Sequence, residues 1–255
     1  MYSIGEILKR RGYKTKERNC ITHGRYRAVF FNGKESRCPD CVNSLIFDSD
    51  QKKSYENNDR LVQMRISDIG IPLRFSGKTL SNYVAETQEQ ISALSVATSY
   101  ADNWCDVKKD GRSLLLLGNP GTGKTHIAIG IAKKIAEENN ASAFYISFID
   151  LIEEIKSGWR SDKTDNKTIE KIKTVDLLII DEISSAYNSD SEKIQLFRII
   201  NKRYEAILPT IVISNSDLDE TKRQMGAAAF DRLREGGGKM ISFKWGSNRG
   251  GKKDG

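Results

Sequence analysis

Residues 118–125 read Gly118-Asn119-Pro120-Gly121-Thr122-Gly123-Lys124-Thr125, between an apolar run, Leu114–Leu117, and a stretch of helical periodicity, Lys124–Glu138. Glycines here let successive backbone N–H groups turn inward around a phosphate, where side chains would clash. Lys124 can reach the outer phosphates, and the Thr125 hydroxyl can hold Mg²⁺. The helix that begins there adds its positive dipole end. A strand before and a helix after are the context this loop needs. Residues 118–125, with His126 beside the nucleotide rather than on a metal, are the expected phosphate-binding set.

Outward from this loop, strand-like and helix-like segments alternate from Leu61 onward, the pattern of a parallel sheet covered by helices. Strands are expected at Ser113–Leu117, Ala143–Ser147, Asp176–Ile180, Thr210–Ser214 and Met240–Phe243. Helices are expected at Gln88–Trp104, Lys124–Glu138, Ile149–Lys156 and Ser191–Ala206, with Asp217–Leu233 mainly helical. In the first of these, Ile91, Leu94, Ala97, Ala101 and Trp104 form the apolar stripe, and Cys105 reads as a small buried hydrophobe. The stretch Asp176-Leu177-Leu178-Ile179-Ile180-Asp181-Glu182 is a buried strand that delivers two acids at its C-terminal edge, where ligands of such sheets bind. Asp181 would hold Mg²⁺, and Glu182 would orient and deprotonate an attacking water.

These two motifs together resemble the AAA+ ATPases, over about residues 70–250. The resemblance implies ATP with Mg²⁺ as cofactors and hydrolysis as the reaction. It makes Asn215, ending the strand Thr210-Ile211-Val212-Ile213-Ser214, a sensor of the γ-phosphate or the catalytic water. It makes Arg232, within Phe230-Asp231-Arg232-Leu233-Arg234, an arginine finger given to a neighbouring subunit, and hence implies self-assembly. Arg249 falls where short-lidded members keep a second sensor arginine. With little chain after Arg249, no full helical lid is expected. That truncation is similar to the DnaC/DnaI group of replicative helicase loaders and to the IstB-type transposition helpers, which share this core.

The N-terminal fifth differs in character. Cys20-Ile21-Thr22-His23 and Cys38-Pro39-Asp40-Cys41 have the C-x₂-H and C-x₂-C spacing of a structural zinc site. Cys20, His23, Cys38 and Cys41 would close the Zn²⁺ tetrahedron, leaving no open position for catalysis, and would staple a segment too small to hold itself by apolar burial. Residues 1–60 carry 13 Lys and Arg against 8 Asp and Glu, so most of the net +7 charge lies there. A basic head permits contact with nucleic acid or with an acidic protein surface. No apolar run reaches membrane-spanning length, and no signal-peptide pattern follows Met1, so a cytoplasmic protein is expected.

The expected organisation is a metal-binding module at 1–46, a polar linker or exposed helix at 47–65, and an AAA+ domain at 66–255. The metal module resembles that of the DnaI-like loaders, which implies a hexameric replicative DNA helicase and single-stranded DNA as partners. Two other readings stay open: an ATPase serving a transposase, and a DNA-binding adaptor for which ATP is only a switch.

Overall fold

The computed structural model describes residues 13–160, 167–185 and 189–247. Arg249 and the Lys252-Lys253 tail lie outside the described residues. The chain divides into two compact units, 1–61 and 62–255.

In the first unit, β1 (Lys14–Cys20) and β2 (Gly24–Phe31) form an antiparallel hairpin, and β3 (Lys34–Glu35) joins β2 through the turn at Asn32-Gly33. An Asn-Gly pair favours such a two-residue turn because both residues tolerate left-handed backbone. Helix α1 (Pro39–Asp68) begins in this unit and ends beyond residue 61, with Pro39 at its first position, where a missing N–H costs nothing. The polar stretch 47–65 is helical throughout. It contains neither glycine nor proline, and its Gln, Lys, Glu and Arg residues are good helix formers.

The second unit is the α/β fold expected from the alternation. Its five parallel strands are β4 (Leu114–Gly118), β5 (Ala143–Ser147), β6 (Leu177–Asp181), β7 (Thr210–Ser214) and β8 (Lys239–Phe243), in the order β5-β6-β7-β4-β8. The strands alternate their side chains between the two faces. Leu114 and Leu116 thus enter one core with Leu177 and Ile179, while Leu115 and Leu117 enter the other with Leu178 and Ile180. Burial on both sides explains the unbroken apolar runs of the central strands. At roughly 1.5–3 kcal/mol for each large side chain buried, this sheet is the main stabilising element.

Helices α2 (Gln88–Asp102), α3 (Trp104–Asp110) and α4 (Lys124–Glu138) supply residues of the first core. The second core draws on α5 (Phe148–Arg160), α6 (Lys167–Thr174), α7 (Asp190–Glu205), α8 (Leu218–Met225) and α9 (Ala227–Arg234). Among the described residues no helical lid follows β8.

Three local expectations need correction. The first helix ends at Asp102, and Asn103 separates it from α3. Of the expected stripe, Ala97, Ala101 and Trp104 are buried and Leu94 packs against the core, but Ile91 is exposed, and Ala93 and Tyr100 are buried as well. Cys105 is exposed although its neighbour Trp104 is buried, because adjacent helical residues point about 100° apart.

Candidate functional site

The parallel strands deliver the loop after β4 and the acids after β6 to one end of the sheet, beside a cleft of about 690 Å³. Pro120, Gly121, Gly123, Lys124, Thr125 and His126 line it, and Asp181, Glu182 and Asn215 face it from the neighbouring strands. The segment before α2 forms another wall, through Arg74, Phe75, Lys78, Asn82 and Tyr83.

Two glycines are dictated by sterics. At Gly118 (φ 126°) an added Cβ would meet the Phe243 carbonyl oxygen at 2.2 Å. At Gly123 (φ 95°) it would meet the Tyr83 ring at 2.6 Å. The loop is tied down from both flanks. Tyr83 donates its hydroxyl, and Trp245 its indole N–H, to the Thr122 carbonyl, at 3.0 and 3.1 Å. Asn119 donates its amide to the Lys244 and Trp245 carbonyls.

Lys124 is buried and donates to the carbonyls of Gly118 and Asn119, at 2.7 and 2.6 Å. A phosphate in the loop would compete for the same ammonium. Thr125 donates its hydroxyl to Oδ2 of Asp181 at 2.8 Å, joining residues 56 apart in sequence. Tyr145 donates to that same oxygen at 2.9 Å, and the Glu182 N–H donates to Oδ1 at 2.7 Å. Asp181 is 3% exposed. Burial pushes its carboxyl up, and the Thr125, Tyr145 and Glu182 donors oppose that shift. Thr125 and Asp181 could hold a hard divalent cation through oxygen, the donor type Mg²⁺ takes.

Glu182 is exposed at the cleft with φ 60°, a left-handed conformation that costs a non-glycine residue about 1–2 kcal/mol. Its side chain is among those that line the cleft. Asn215, just past β7, donates its backbone N–H to Ser184 at 3.1 Å, linking the two strand ends. His126 uses Nε2 to reach the Thr79 carbonyl and Asn82 Oδ1 at 2.8 and 2.9 Å. Both are acceptors, so Nε2 carries the proton, and His126 braces the cleft wall rather than ligating a metal.

Arg232 lies apart from these residues. It bonds Asn201 and Glu235 at 3.2 and 2.7 Å, and its guanidinium sits 4.7 Å from the Tyr204 ring centre. It does not line the cleft.

In the first unit, Cys20 ends β1, His23 lies in the hairpin turn, and Cys38 and Cys41 flank the start of α1. Their ligand atoms all lie within 4.8 Å of one another. His23 Nδ1 is 3.7, 3.8 and 3.3 Å from the sulfurs of Cys20, Cys38 and Cys41, and Cys20 and Cys41 are 3.5 Å apart. A tetrahedral zinc ion with its usual bond lengths needs about 3.8 Å between sulfurs and about 3.5 Å from sulfur to nitrogen. The four residues fit that ion.

Tyr83, Tyr145 and Trp245 are absent from the sequence reading. Each is one aromatic in an apolar or loop segment, and only its hydroxyl or N–H, once folded, marks it.

Among the described residues no helix is long and apolar enough to cross a membrane. A family model described as IstB-like ATP binding protein matches residues 50–236. The replicative helicase loader DnaC of Escherichia coli K12 is 30% identical over 197 residues, 76% of this chain and 78% of that protein. DnaC of Buchnera aphidicola subsp. Baizongia pistaciae is 30% identical over 182 residues, 71% of this chain and 72% of its own. Among solved structures, the DnaC helicase loader gives a TM-score of 0.62 at 24% identity, covering 68% of this chain and 100% of that one. DnaI gives 0.59 at 23% identity, covering 72% and 98%. The two structures establish the fold, and the sequence matches establish kinship: the chain belongs to the IstB-like ATP-binding family and is a relative of the DnaC helicase loaders.

Proposed function

We propose that this protein hydrolyses ATP to load a hexameric replicative DNA helicase onto single-stranded DNA when replication begins. The observation that carries the reading is a cleft lined by the phosphate loop, Asp181 and Glu182, in a chain 30% identical to DnaC over three quarters of its length.

In this reading Lys124 leaves the Gly118 and Asn119 carbonyls and binds the β- and γ-phosphates, while the loop N–H groups hold the β-phosphate. Thr125 and Asp181 hold Mg²⁺, which supplies charge neutralisation at the phosphate oxygens when bound. Glu182 takes the proton from the attacking water, and Asn215 orients that water or the γ-phosphate. Arg232 serves the cleft of a neighbouring subunit, and its position away from its own cleft agrees with this role. Arg249 belongs to the same set as a second sensor.

The module at 1–46 holds zinc and grips the helicase, and the ATPase domain at 66–255 handles DNA. Exposed Phe31, Leu45 and Ile46 support the first assignment, since apolar anchors beside basic charge suit a protein partner.

Co-purification with a replicative helicase, with and without ATP, tests the proposal. Fragment 1–60 should retain the helicase, and the fragment from residue 61 should bind ATP and single-stranded DNA without it. A chain that captures no helicase, yet binds duplex DNA together with a transposase, is instead a transposition helper.

A further inference from the structure

We propose that Tyr145 is a positioning residue for the divalent-cation end of the nucleotide cleft, holding the Asp181 carboxylate in the orientation that receives the metal. The inference rests on the Mg²⁺–ATP reading of this site and adds a residue to it.

Strand register places the phenol. Tyr145 pairs with Ile179, and Ile179 and Asp181 share a face because they are two residues apart. The ring packs against the first core, and the hydroxyl reaches Asp181 Oδ2 at 2.9 Å. The backbone beneath it is fixed on both sides. One side is the β6 ladder; on the other the Tyr145 N–H donates to the Ile69 carbonyl at 2.7 Å. Gly70 closes the approach, since a Cβ there would lie 3.4 Å from the Tyr145 carbonyl oxygen and 3.3 Å from the Phe144 ring. The phenol therefore reaches Asp181 from a strand with little room to shift.

Asp181 shows what the contact does. An ionised carboxylate offers about four lone-pair sites. The hydroxyls of Thr125 and Tyr145 and the Glu182 N–H occupy three of them. One acceptor site remains for a cation or its water, and the three donors fix the carboxylate plane. Thr125 is itself a candidate ligand, so its hydroxyl must serve the cation and the carboxylate together. Tyr145 has no such second duty, so it can hold Asp181 with or without the ion.

Tyr145→Phe keeps the ring and removes only the hydroxyl. Mn²⁺ is the probe, followed by electron paramagnetic resonance on full-length protein with a non-hydrolysable ATP analogue. Half-saturation should need about tenfold more Mn²⁺ than in wild type, the low end for a hydrogen bond to a charged group. Affinity for the analogue in EDTA should stay at the wild-type value. A Mn²⁺ curve that superimposes on wild type would overturn the inference alone, as would an equal loss of analogue affinity in EDTA, which marks a structural residue. Wild-type protein whose analogue complex takes up no Mn²⁺ would overturn the metal site and the inference together.

Discussion

Trp245 donates its indole N–H to the Thr122 carbonyl at 3.1 Å, so the segment after the last strand holds the phosphate loop by its backbone. The ring also packs at a tilt against Phe243, with centres 4.9 Å apart. Trp245→Phe would keep an aromatic contact and remove the donor. Nucleotide affinity should fall about fivefold, the worth of one neutral hydrogen bond, with Tyr83 still in place. Calorimetric titration with ATP checks this, and unchanged affinity would mean the loop is held without Trp245.

Lys124→Ala should abolish ATP hydrolysis, because the γ-phosphate loses its fixed cation. Glu182→Gln should bind ATP with near wild-type affinity and turn over at least a hundredfold more slowly, since an amide cannot take the proton from water. Paired binding and phosphate-release assays separate the two. Weak ATP binding in Glu182→Gln would instead mark Glu182 as structural.

Purified protein should contain about one zinc per chain, held by Cys20, His23, Cys38 and Cys41. Chelation should unfold the hairpin and the start of α1 and spare nucleotide binding, because the phosphate loop belongs to the other compact unit. Elemental analysis and nucleotide titration before and after chelation provide the readouts. A metal-free preparation with an intact hairpin would refute the zinc assignment.

ATPase activity should rise with protein concentration if Arg232 completes a neighbour's cleft. Arg232→Ala and Lys124→Ala should each be inactive alone. Mixed, the Arg232→Ala subunit keeps a sound phosphate loop and can borrow the arginine of its Lys124→Ala neighbour, so part of the turnover returns. A mixture that stays dead places Arg232 in its own subunit's chemistry or outside it.

Asp176 links stability to pH. Burial pushes its carboxyl up, but Lys108 at 2.6 Å and two donors from Ser142 more than offset this, leaving it below its ordinary 3.8. A depressed carboxyl contributes stability that is full above the unfolded value and lost as pH falls through the folded one. Asp176→Asn should therefore melt below wild type at pH 7, and the gap should narrow below about pH 4. Thermal melts at the two pH values check this, and a gap of equal size at both would rule out an ionic origin.

Strands β4, β6 and β7 were legible because burial on both faces writes itself as an unbroken apolar run, as in Leu177–Ile180. The phosphate loop was legible for a different reason: its chemistry needs glycines and Lys-Thr at fixed spacing, whatever surrounds them. Ile91 and Cys105 misled because a helix with small or mixed residues on several sides has no single dominant stripe. Arg203 left no trace in sequence. It is fully buried and donates to the carbonyls of Ile172, Val175 and Pro209 and to the Thr210 hydroxyl, at 2.8–3.0 Å. That role depends on where residues 172–175, 28 to 31 residues away in sequence, come to lie, which no local pattern records. Tyr145 and Trp245 escaped for the same reason.

The left-handed backbone at Glu182 has an evolutionary consequence. Glycine would adopt φ 60° with no steric conflict, and asparagine with little, so mutation alone should erode an acid at this position. On the proposed mechanism, the need for proton transfer is what would keep a glutamate there. Across homologues, residue 182 therefore works as a marker. If Glu182 takes the proton as proposed, homologues that keep an acid here should turn over nucleotide, and any that carry glycine should keep the cleft as a binding site alone.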